Sequence, residues 1–149
     1  MMDVILIAAT TVNGYIARRS DEVISWSKDL TLFKKQTMGY PVIMGSNTEK
    51  TLAVELRGRE KIVVHRNDNA KKILDDLNIE KCFVIGGGRT YTKFAPFLTH
   101  LYITPHPIVF GKGITLFPKL DRELLLQFVK MVPVNEVEGI HQFQYKVIK

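Results

Sequence analysis

One acid stands among apolar residues in the segment SWSKDLTLFKKQT, residues 25–37. If a helix begins near Ser27, Asp29 and Phe33 are four positions apart and lie on one face, with Lys34 and Lys35 on the other. An unpaired carboxylate on the apolar side costs several kcal/mol, or takes up a proton, unless hydrogen bonds compensate. Two interpretations are open. Asp29 is either an acid of the first turn, favoured by the helix dipole and water, or it meets the N–H donors of a ligand beside Leu30 and Phe33.

A run of three glycines occurs in VIGGGRTYTKF, residues 84–94, between an apolar run and a segment of helical character. Consecutive glycines cost backbone entropy, so they are kept where a side chain would obstruct something. The first N–H groups of a helix attract anions, and Arg89 adds a charge that can contact a phosphate. A phosphate cradle is one interpretation. The other is a strand-to-helix turn that requires positive φ, since neither the GxGxxG nor the Walker pattern is present.

These residues must be positioned by an alternation of strands and helices. The sequence predicts strands at 4–10, 41–45, 61–65, 82–86, 100–105, 125–132 and 142–148, and helices at 28–37, 47–53, 69–77 and 88–95. This order is typical of an α/β domain, in which ligands bind at the carboxyl ends of parallel strands. The last two strands have no helix between them and are predicted to pair antiparallel at one edge. We predict that Asn67 or Asp68 caps the third helix and that GKGIT, residues 111–115, is a plain surface turn.

Length and composition favour one intracellular domain that covers residues 1–149. Cys82 is the single cysteine, so no internal disulfide can form and a reducing cytoplasm is expected. No segment approaches the roughly 20 apolar residues of a membrane helix, and the N-terminus lacks the features of a signal peptide. The net charge of +6 is dispersed along the chain. Dispersed charge argues against nucleic acid as a partner and favours the attraction of a polyanionic small molecule, such as a phosphorylated cofactor.

The motifs resemble the dihydrofolate reductase family over nearly the whole chain. The resemblance runs in order through ILIAATTVNGYIA, WSKDLTLFKKQT, PVIMGSNT, LRGREKIVV, VIGGGRTYTKF and LYIT followed by LFP. It implies an α/β three-layer domain whose central, mostly parallel, twisted sheet has an antiparallel C-terminal edge strand and helices on both faces. It also implies reduction of 7,8-dihydrofolate to tetrahydrofolate by hydride transfer from the nicotinamide of NADPH, with protonation of the pterin imine and without a metal.

The resemblance assigns substrate-side roles to particular residues. Asp29 matches the acid that holds the pterin and supports protonation of its imine, and Thr104 matches the threonine that backs this acid through water. Arg59 matches the arginine that binds the α-carboxylate of the glutamate tail, a pairing for which a guanidinium is suited. The positions that match the pterin pocket are Ile7, Ala9, Leu30 and Phe33.

The resemblance also assigns cofactor-side roles. Ala9 and Ile16 match cofactor-binding positions, with Ile16 and Ala17 on the loop that closes over the nicotinamide and Trp26 at the far end of that loop. A second phosphate-contacting turn matches Gly45 and Thr48. The glycine turn and the helix after it match Ile85, Gly86, Gly87, Gly88, Arg89 and Tyr91. In this family the first two glycines are joined by a cis peptide bond, which is therefore expected between Gly86 and Gly87.

Two departures from the family pattern leave alternatives open. Ser46 occupies the place of the arginine that usually grips the extra phosphate of NADPH, so that contact is assigned to Arg66, with His65 or Ser46 assisting. The segment PHPIVFGKGITLFP resembles the related reductase domain of riboflavin biosynthesis. A riboflavin-type pyrimidine reductase is therefore one alternative, and a non-catalytic nucleotide-binding member of the fold or a nucleic-acid module is another. We expect a monomer and leave a homodimer open.

Overall fold

A computed structural model of the protein describes residues 1–52 and 56–149. The strands are β1 Asp3–Thr11, β2 Tyr15–Ala17, β3 Val42–Gly45, β4 Lys61–Val64, β5 Lys81–Gly86, β6 His100–His106, β7 Ile114–Thr115, β8 Leu125–Asn135 and β9 Ile140–Ile148. The helices are α1 Leu30–Thr37, α2 Ser46–Thr51, α3 Ala70–Asp75 and α4 Gly88–Phe94, and a 3₁₀ turn follows at Ala95–Phe97.

Seven strands form one sheet in the order β4-β3-β5-β1-β6-β9-β8. The first five in this order are parallel, whereas β9 runs antiparallel to both β6 and β8. The seven strands predicted from the sequence are therefore confirmed, and the last two pair at one edge with β8 outermost. At the centre, residues 4–8 of β1 are all buried, because helices cover both faces of this parallel region.

Alternate residues of the central strands contribute to two separate cores. On one face, Leu6 packs with Leu74 of α3 and Phe94 of α4. On the other face, Ile5 and Ile7 belong to a cluster against which Phe33 of α1 packs. The predicted arrangement of helices on both faces is confirmed.

The four predicted helices differ from the structure at their ends, the last only because it ends at Phe94 rather than at position 95. The N-cap of α3 is Asn69, whose Oδ1 accepts a hydrogen bond from the Lys72 N–H at 3.0 Å, so the prediction of Asn67 or Asp68 was wrong. Asp68 closes the preceding turn instead, where its Oδ2 accepts from the His65 N–H at 2.8 Å. The first helix begins at Leu30, with Asp29 as its N-cap. The second covers Ser46–Thr51, and position 53 of the predicted helix lies outside the described residues.

The segment GKGIT was wrongly predicted to be a plain surface turn. Its Ile114–Thr115 forms β7, which pairs antiparallel with β2. A Cβ at Gly113 would overlap the carbonyl oxygen of Ala17, so the backbones approach closely here. With three and two residues, β2 and β7 are too short to show the alternation of polar and apolar residues that is typical of a strand. Their pairing also joins segments that are about 100 positions apart in the chain. Within the described ranges, none of the helices is long and apolar enough to cross a membrane.

Candidate functional site

A cleft of about 1140 Å³ opens at the carboxyl ends of the parallel strands. Its floor includes Ala9 of β1, Gly45 of β3, Val64 of β4 and Gly86 of β5. The starts of α1, α2 and α4 border it, and β7 lies at its rim. This is the edge at which a parallel α/β sheet is expected to bind ligands.

Most residues predicted for the site line this cleft. Those that do are Ile7, Ala9, Ile16, Asp29, Leu30, Phe33, Gly45, Ser46, Thr48, His65, Arg66, Ile85, Gly86, Gly87, Gly88, Arg89 and Tyr91. As far as the described residues define the lining, Arg59 and Thr104 are not part of it. The residues named from the sequence therefore form much of the wall of the cleft.

Asp29 is buried, with 7 % of its surface exposed, at the point where α1 begins. Its carbonyl oxygen accepts the N–H of Phe33 at 2.9 Å, which closes the first helical turn. Within the described part of the chain, the Asp29 side chain accepts no capping hydrogen bond from this helix. The carboxyl is therefore not used to stabilise the helix end, although the cap position would allow it.

The surroundings of Asp29 favour its protonated form. Burial raises the pKa of the carboxyl above the ordinary value of 3.8, because the charged form loses hydration. The backbone N–H of Asp29 and the Thr104 hydroxyl each lower this pKa by smaller amounts, and a positive charge on the neighbouring His106 would lower it further. Loss of hydration is the dominant effect, so the pKa stays raised.

Two buried polar atoms belong to residues around this acid: Thr104, whose hydroxyl lowers its pKa, and Trp26, which lies shortly before it in the chain. Thr104 is fully buried on β6, where it pairs in register with Ala9, and the only tryptophan of the chain, Trp26, precedes α1. Among the described residues, Thr104 Oγ1 and Trp26 Nε1 have no hydrogen-bond partner of normal length and angle. Buried polar groups are usually satisfied, so these two atoms are suited to hydrogen bonds with water or a bound molecule.

His106 was missed by the sequence reasoning. The side chain is 1 % exposed, its Nε2 accepts the Lys28 N–H at 2.9 Å, and its Nδ1 lies 2.8 Å from the Thr104 carbonyl oxygen. Its ring meets that of Trp26 edge to face, with 5.4 Å between centroids. The partners Lys28 and His106 are 78 positions apart, so no local pattern could have indicated the contact.

Arg59 lies toward the other end of α1. It is 9 % exposed, and its guanidinium donates from Nη1 to Thr37 Oγ1 at 3.1 Å and from Nε to the Arg57 carbonyl oxygen at 3.2 Å. Burial lowers the pKa of the guanidinium below its ordinary value. Thr37 follows Asp29 by eight residues, which is about 12 Å along a helix axis. The acid and the arginine are therefore at opposite ends of one short helix.

The glycines of the two turns have different neighbours. A Cβ at Gly45 would lie 2.8 Å from Thr90 Oγ1, and one at Gly88 would lie 2.8 Å from Pro118 Cγ, so these two glycines allow chain segments to pack. Gly86, with φ of +134°, and Gly87 have Thr48 Oγ1 as the nearest atom, at 3.3 and 3.6 Å from an added Cβ. The peptide bond between Gly86 and Gly87 is cis, as the resemblance implied.

Tyr91 connects α4 to the central strand. Its hydroxyl donates to the Ile7 carbonyl oxygen at 2.8 Å, and the side chain is buried. Burial, and to a smaller extent the charge of Asp29, raises the pKa of this phenol. Tyr91 therefore stays protonated and acts as an anchor between the glycine turn and the floor of the cleft.

Several basic groups lie on the side of the cleft formed by β4 and α4. His65, Arg66 and Arg89 are exposed there, and Ser46 lies at the start of α2. Lys93, also missed from the sequence, donates its Nζ to the carbonyl oxygens of His65, Arg66 and Asp68 at 3.1, 3.0 and 2.6 Å. This one side chain attaches the loop after β4 to α4.

Comparisons with known proteins agree with this geometry. The family model described as "Dihydrofolate reductase" matches residues 3–146. The dihydrofolate reductase of Bacillus subtilis is 33 % identical over 127 residues, which cover 77 % of this chain and 75 % of that protein. That of Haemophilus influenzae is 31 % identical over 133 residues, or 79 % and 80 % of the two chains.

Two solved structures share the fold at low sequence identity. Dihydrofolate reductase from Enterococcus faecalis, in a complex with NADP(H), has a TM-score of 0.77 at 23 % identity and covers 99 % of this chain and 97 % of that one. A riboflavin biosynthesis protein described as putative, from Shewanella sp. PV-4, has a TM-score of 0.65 at 20 % identity, with coverage of 99 % and 100 %.

Proposed function

The chain belongs to the dihydrofolate reductase family, and we propose that its cleft binds NADPH and 7,8-dihydrofolate side by side, with Asp29 at the reacting pterin. The reaction is reduction of dihydrofolate to tetrahydrofolate, for which bound NADPH supplies the hydride. One observation carries the proposal: a buried carboxyl with a raised pKa lines the same cleft as a glycine turn bordered by cations.

The cofactor half of the cleft has the groups that a dinucleotide needs. Gly86 and Gly87 line the cleft with backbone that carries no Cβ, and the first N–H groups of α2 and α4 are not used within their helices. These N–H groups are suited to the pyrophosphate, and Arg89 adds a charge nearby. Arg66, with His65 and Ser46, is the proposed contact of the extra phosphate that distinguishes NADPH from NADH.

Asp29 orients the pterin and supports its protonation. A carboxylate accepts two parallel hydrogen bonds, which suits the ring N–H and exocyclic amine of a pterin. Because burial raises the pKa of Asp29, a proton is held at this carboxyl closer to neutral pH than an exposed aspartate would allow. Ile7, Leu30 and Phe33 form the apolar walls that hold the ring and keep water away from it. Thr104, behind Asp29, is proposed to bind the water that supports the acid.

Arg59 is proposed to bind the α-carboxylate of the glutamate tail. Its position near Thr37, about 12 Å along α1 from Asp29, suits a substrate that extends from the pterin along the helix. If so, Arg59→Ala raises the KM for dihydrofolate by about tenfold or more, but leaves the KM for a tail-less pterin within about twofold. Equal effects on both substrates would contradict the assignment.

The riboflavin-type pyrimidine reductase is the second candidate, because a protein described as a putative riboflavin biosynthesis protein shares the fold. The decisive experiment follows the oxidation of NADPH with dihydrofolate and, in parallel, with a ribitylamino-pyrimidine. We expect turnover with dihydrofolate and at most background oxidation with the pyrimidine. Turnover of the pyrimidine alone would replace the proposal by the second candidate, and turnover of neither would favour a non-catalytic nucleotide-binding protein.

The cellular compartment and the oligomeric state of the protein belong to the same proposal. We place it in the cytoplasm, where the lone Cys82 remains a thiol; this side chain is buried, and burial raises its pKa to about 12. A monomer suffices for the proposed chemistry, because all the residues invoked lie in one chain. Analytical ultracentrifugation tests whether the protein is a monomer, and the finding of a dimer would leave the proposed mechanism unchanged.

A further inference from the structure

The two backbone partners of His106 determine where its proton lies. An amide N–H can only donate, so His106 Nε2, at 2.9 Å from the Lys28 nitrogen, must be an unprotonated acceptor. The Thr104 carbonyl oxygen can only accept, so Nδ1, at 2.8 Å from it, must carry the proton. The ring is therefore neutral, in the Nδ1–H form. A charged ring would turn an Nε2–H toward the Lys28 N–H and lose this contact.

The segment held by His106 is the start of the helix that carries the acid. Lys28 directly precedes Asp29, and within the described residues the Asp29 side chain makes no capping hydrogen bond of its own. The other link of Lys28 is an ion pair of its Nζ with Glu138, in which both side chains are more than a third exposed and which therefore contributes little. His106 is the buried connection between this helix start and β6.

We propose that His106 is a positioning residue for Asp29: its neutral imidazole joins the Lys28 N–H to the Thr104 carbonyl and so holds the acid against the substrate side of the cleft. This inference rests on the proposed function. His106 itself touches neither the substrate nor the cofactor in this scheme. Its effect is to keep Asp29 buried and close to Thr104, both of which decide how readily the carboxyl holds a proton.

The response of the Asp29 carboxyl to pH depends on the titratable groups that face it. Asp29 faces His106 on β6 and Tyr91 on α4, and Tyr91 stays protonated because it is buried. If the start of α1 loosens, water reaches the Asp29 carboxyl and the main cause of its raised pKa is weakened. The pH above which kcat falls should then move downward, toward the range of an exposed aspartate. A role limited to folding would not move it.

Two polar substitutions separate the two hydrogen bonds. In His106→Gln the amide oxygen falls near the place of Nε2 and can accept the Lys28 N–H. In His106→Asn the shorter amide can reach the Thr104 carbonyl and not Lys28. In His106→Asn we expect kcat to fall about tenfold, equivalent to about 1.4 kcal/mol, and the pH above which kcat falls to be lower than in the wild type. In His106→Gln we expect kcat to stay within about threefold of the wild-type value. The KM for NADPH should stay within about twofold in both.

A matched control is His100→Asn, a substitution on the same strand, where the ring contacts the Thr99 hydroxyl. Its kcat and pH profile should be unchanged. Equal kcat values for the Gln and Asn variants of His106 would overturn the proposal. So would a lower kcat in His106→Asn with no change in the pH above which kcat falls.

Measurements without turnover keep the inference separate from the proposed function. Nitrogen-15 NMR of the wild-type protein should show His106 as the neutral Nδ1–H form at neutral pH. Exchange of the Lys28 amide with deuterium should be slow, and about tenfold faster in His106→Asn than in His106→Gln. An Nε2–H or charged ring, or an unprotected Lys28 amide, would overturn the inference even if His106→Asn failed to fold. Absence of dihydrofolate turnover in the wild type would instead overturn the proposed function.

Discussion

The two halves of the cleft differ in the groups that they offer. The acid half, around Asp29, Thr104 and His106, is buried, and the properties of its carboxyl depend on the exclusion of water. The glycine half, around Gly86, Gly87 and the exposed Arg66 and Arg89, offers backbone N–H groups and several cations close to solvent.

This difference predicts how each half responds to substitution. A buried group in a low-dielectric setting interacts strongly, so removal of its charge has a large and specific effect. Exposed cations act in parallel and are screened by salt, so removal of one has a graded effect. Close-packed glycines form a third case, because an added methyl group moves whole segments of backbone.

The largest effect is expected from Asp29→Asn. The variant cannot exchange a proton at this position, and general acid or base groups contribute about 10²- to 10⁴-fold, so kcat for dihydrofolate should fall by about 100-fold or more. The KM for NADPH should stay within about twofold, because the glycine half is untouched. Steady-state kinetics between pH 5 and about pH 9 measure both. Intact turnover across this range would remove Asp29 from the mechanism.

The next effect concerns Gly113→Ala at the rim of the glycine half. The added Cβ would overlap the Ala17 carbonyl oxygen and separate β7 from β2, which should cost about 1–3 kcal/mol of unfolding free energy and raise the KM for NADPH by about tenfold. Urea denaturation and kinetics measure the two quantities. The matched control is Gly111→Ala, where an added Cβ has none of the described chain within 4 Å and should change neither. If Gly113→Ala and Gly111→Ala had similar unfolding free energies and similar KM values for NADPH, the prediction of a plain surface turn would be restored.

A smaller and selective effect is expected from Arg66→Ala. One exposed charge contact to a phosphate is worth about 1 kcal/mol, so the KM for NADPH should rise about fivefold, and the KM for NADH by less than about twofold. High salt should reduce the difference between wild type and variant, because the contact is exposed. Arg122→Ala, an exposed arginine away from the cleft, is the control. Equal loss of NADH binding would contradict a contact to the extra phosphate.

The smallest effect is expected on the thermal stability of the variant Asp29→Asn. Because the folded-state pKa of Asp29 is raised, the wild type binds a proton more tightly when folded and loses stability as pH rises through that pKa. Asp29→Asn has no charge to bury, so its Tm should exceed that of the wild type by a few degrees at neutral pH and approach it below about pH 4. Thermal unfolding monitored by circular dichroism tests this. A Tm difference that does not change with pH would mean that the carboxyl is hydrated when folded.

The course of the strands was predictable because their signals are local. Residues 4–10 and 82–86 are apolar runs long enough to be recognised, and both are strands of the central sheet. The pairing of β2 with β7 was not predictable, since neither element is longer than three residues and their contact depends on the rest of the fold. The cap of α3 was misassigned because Asn67, Asp68 and Asn69 are all good caps, and only the turn after β4 selects among them.

The sequence by itself determined the types of chemical group available: a single acid among apolar residues, a glycine run after a strand, and an excess of dispersed positive charge. Only the tertiary structure decided the state of those groups. The raised pKa of Asp29, the neutral form of His106 and the attachment of the loop after β4 by Lys93 all depend on contacts between residues about 25 or more positions apart. Hydration and hydrogen-bond partners are properties of the packed chain, so they follow from the fold rather than from residue type.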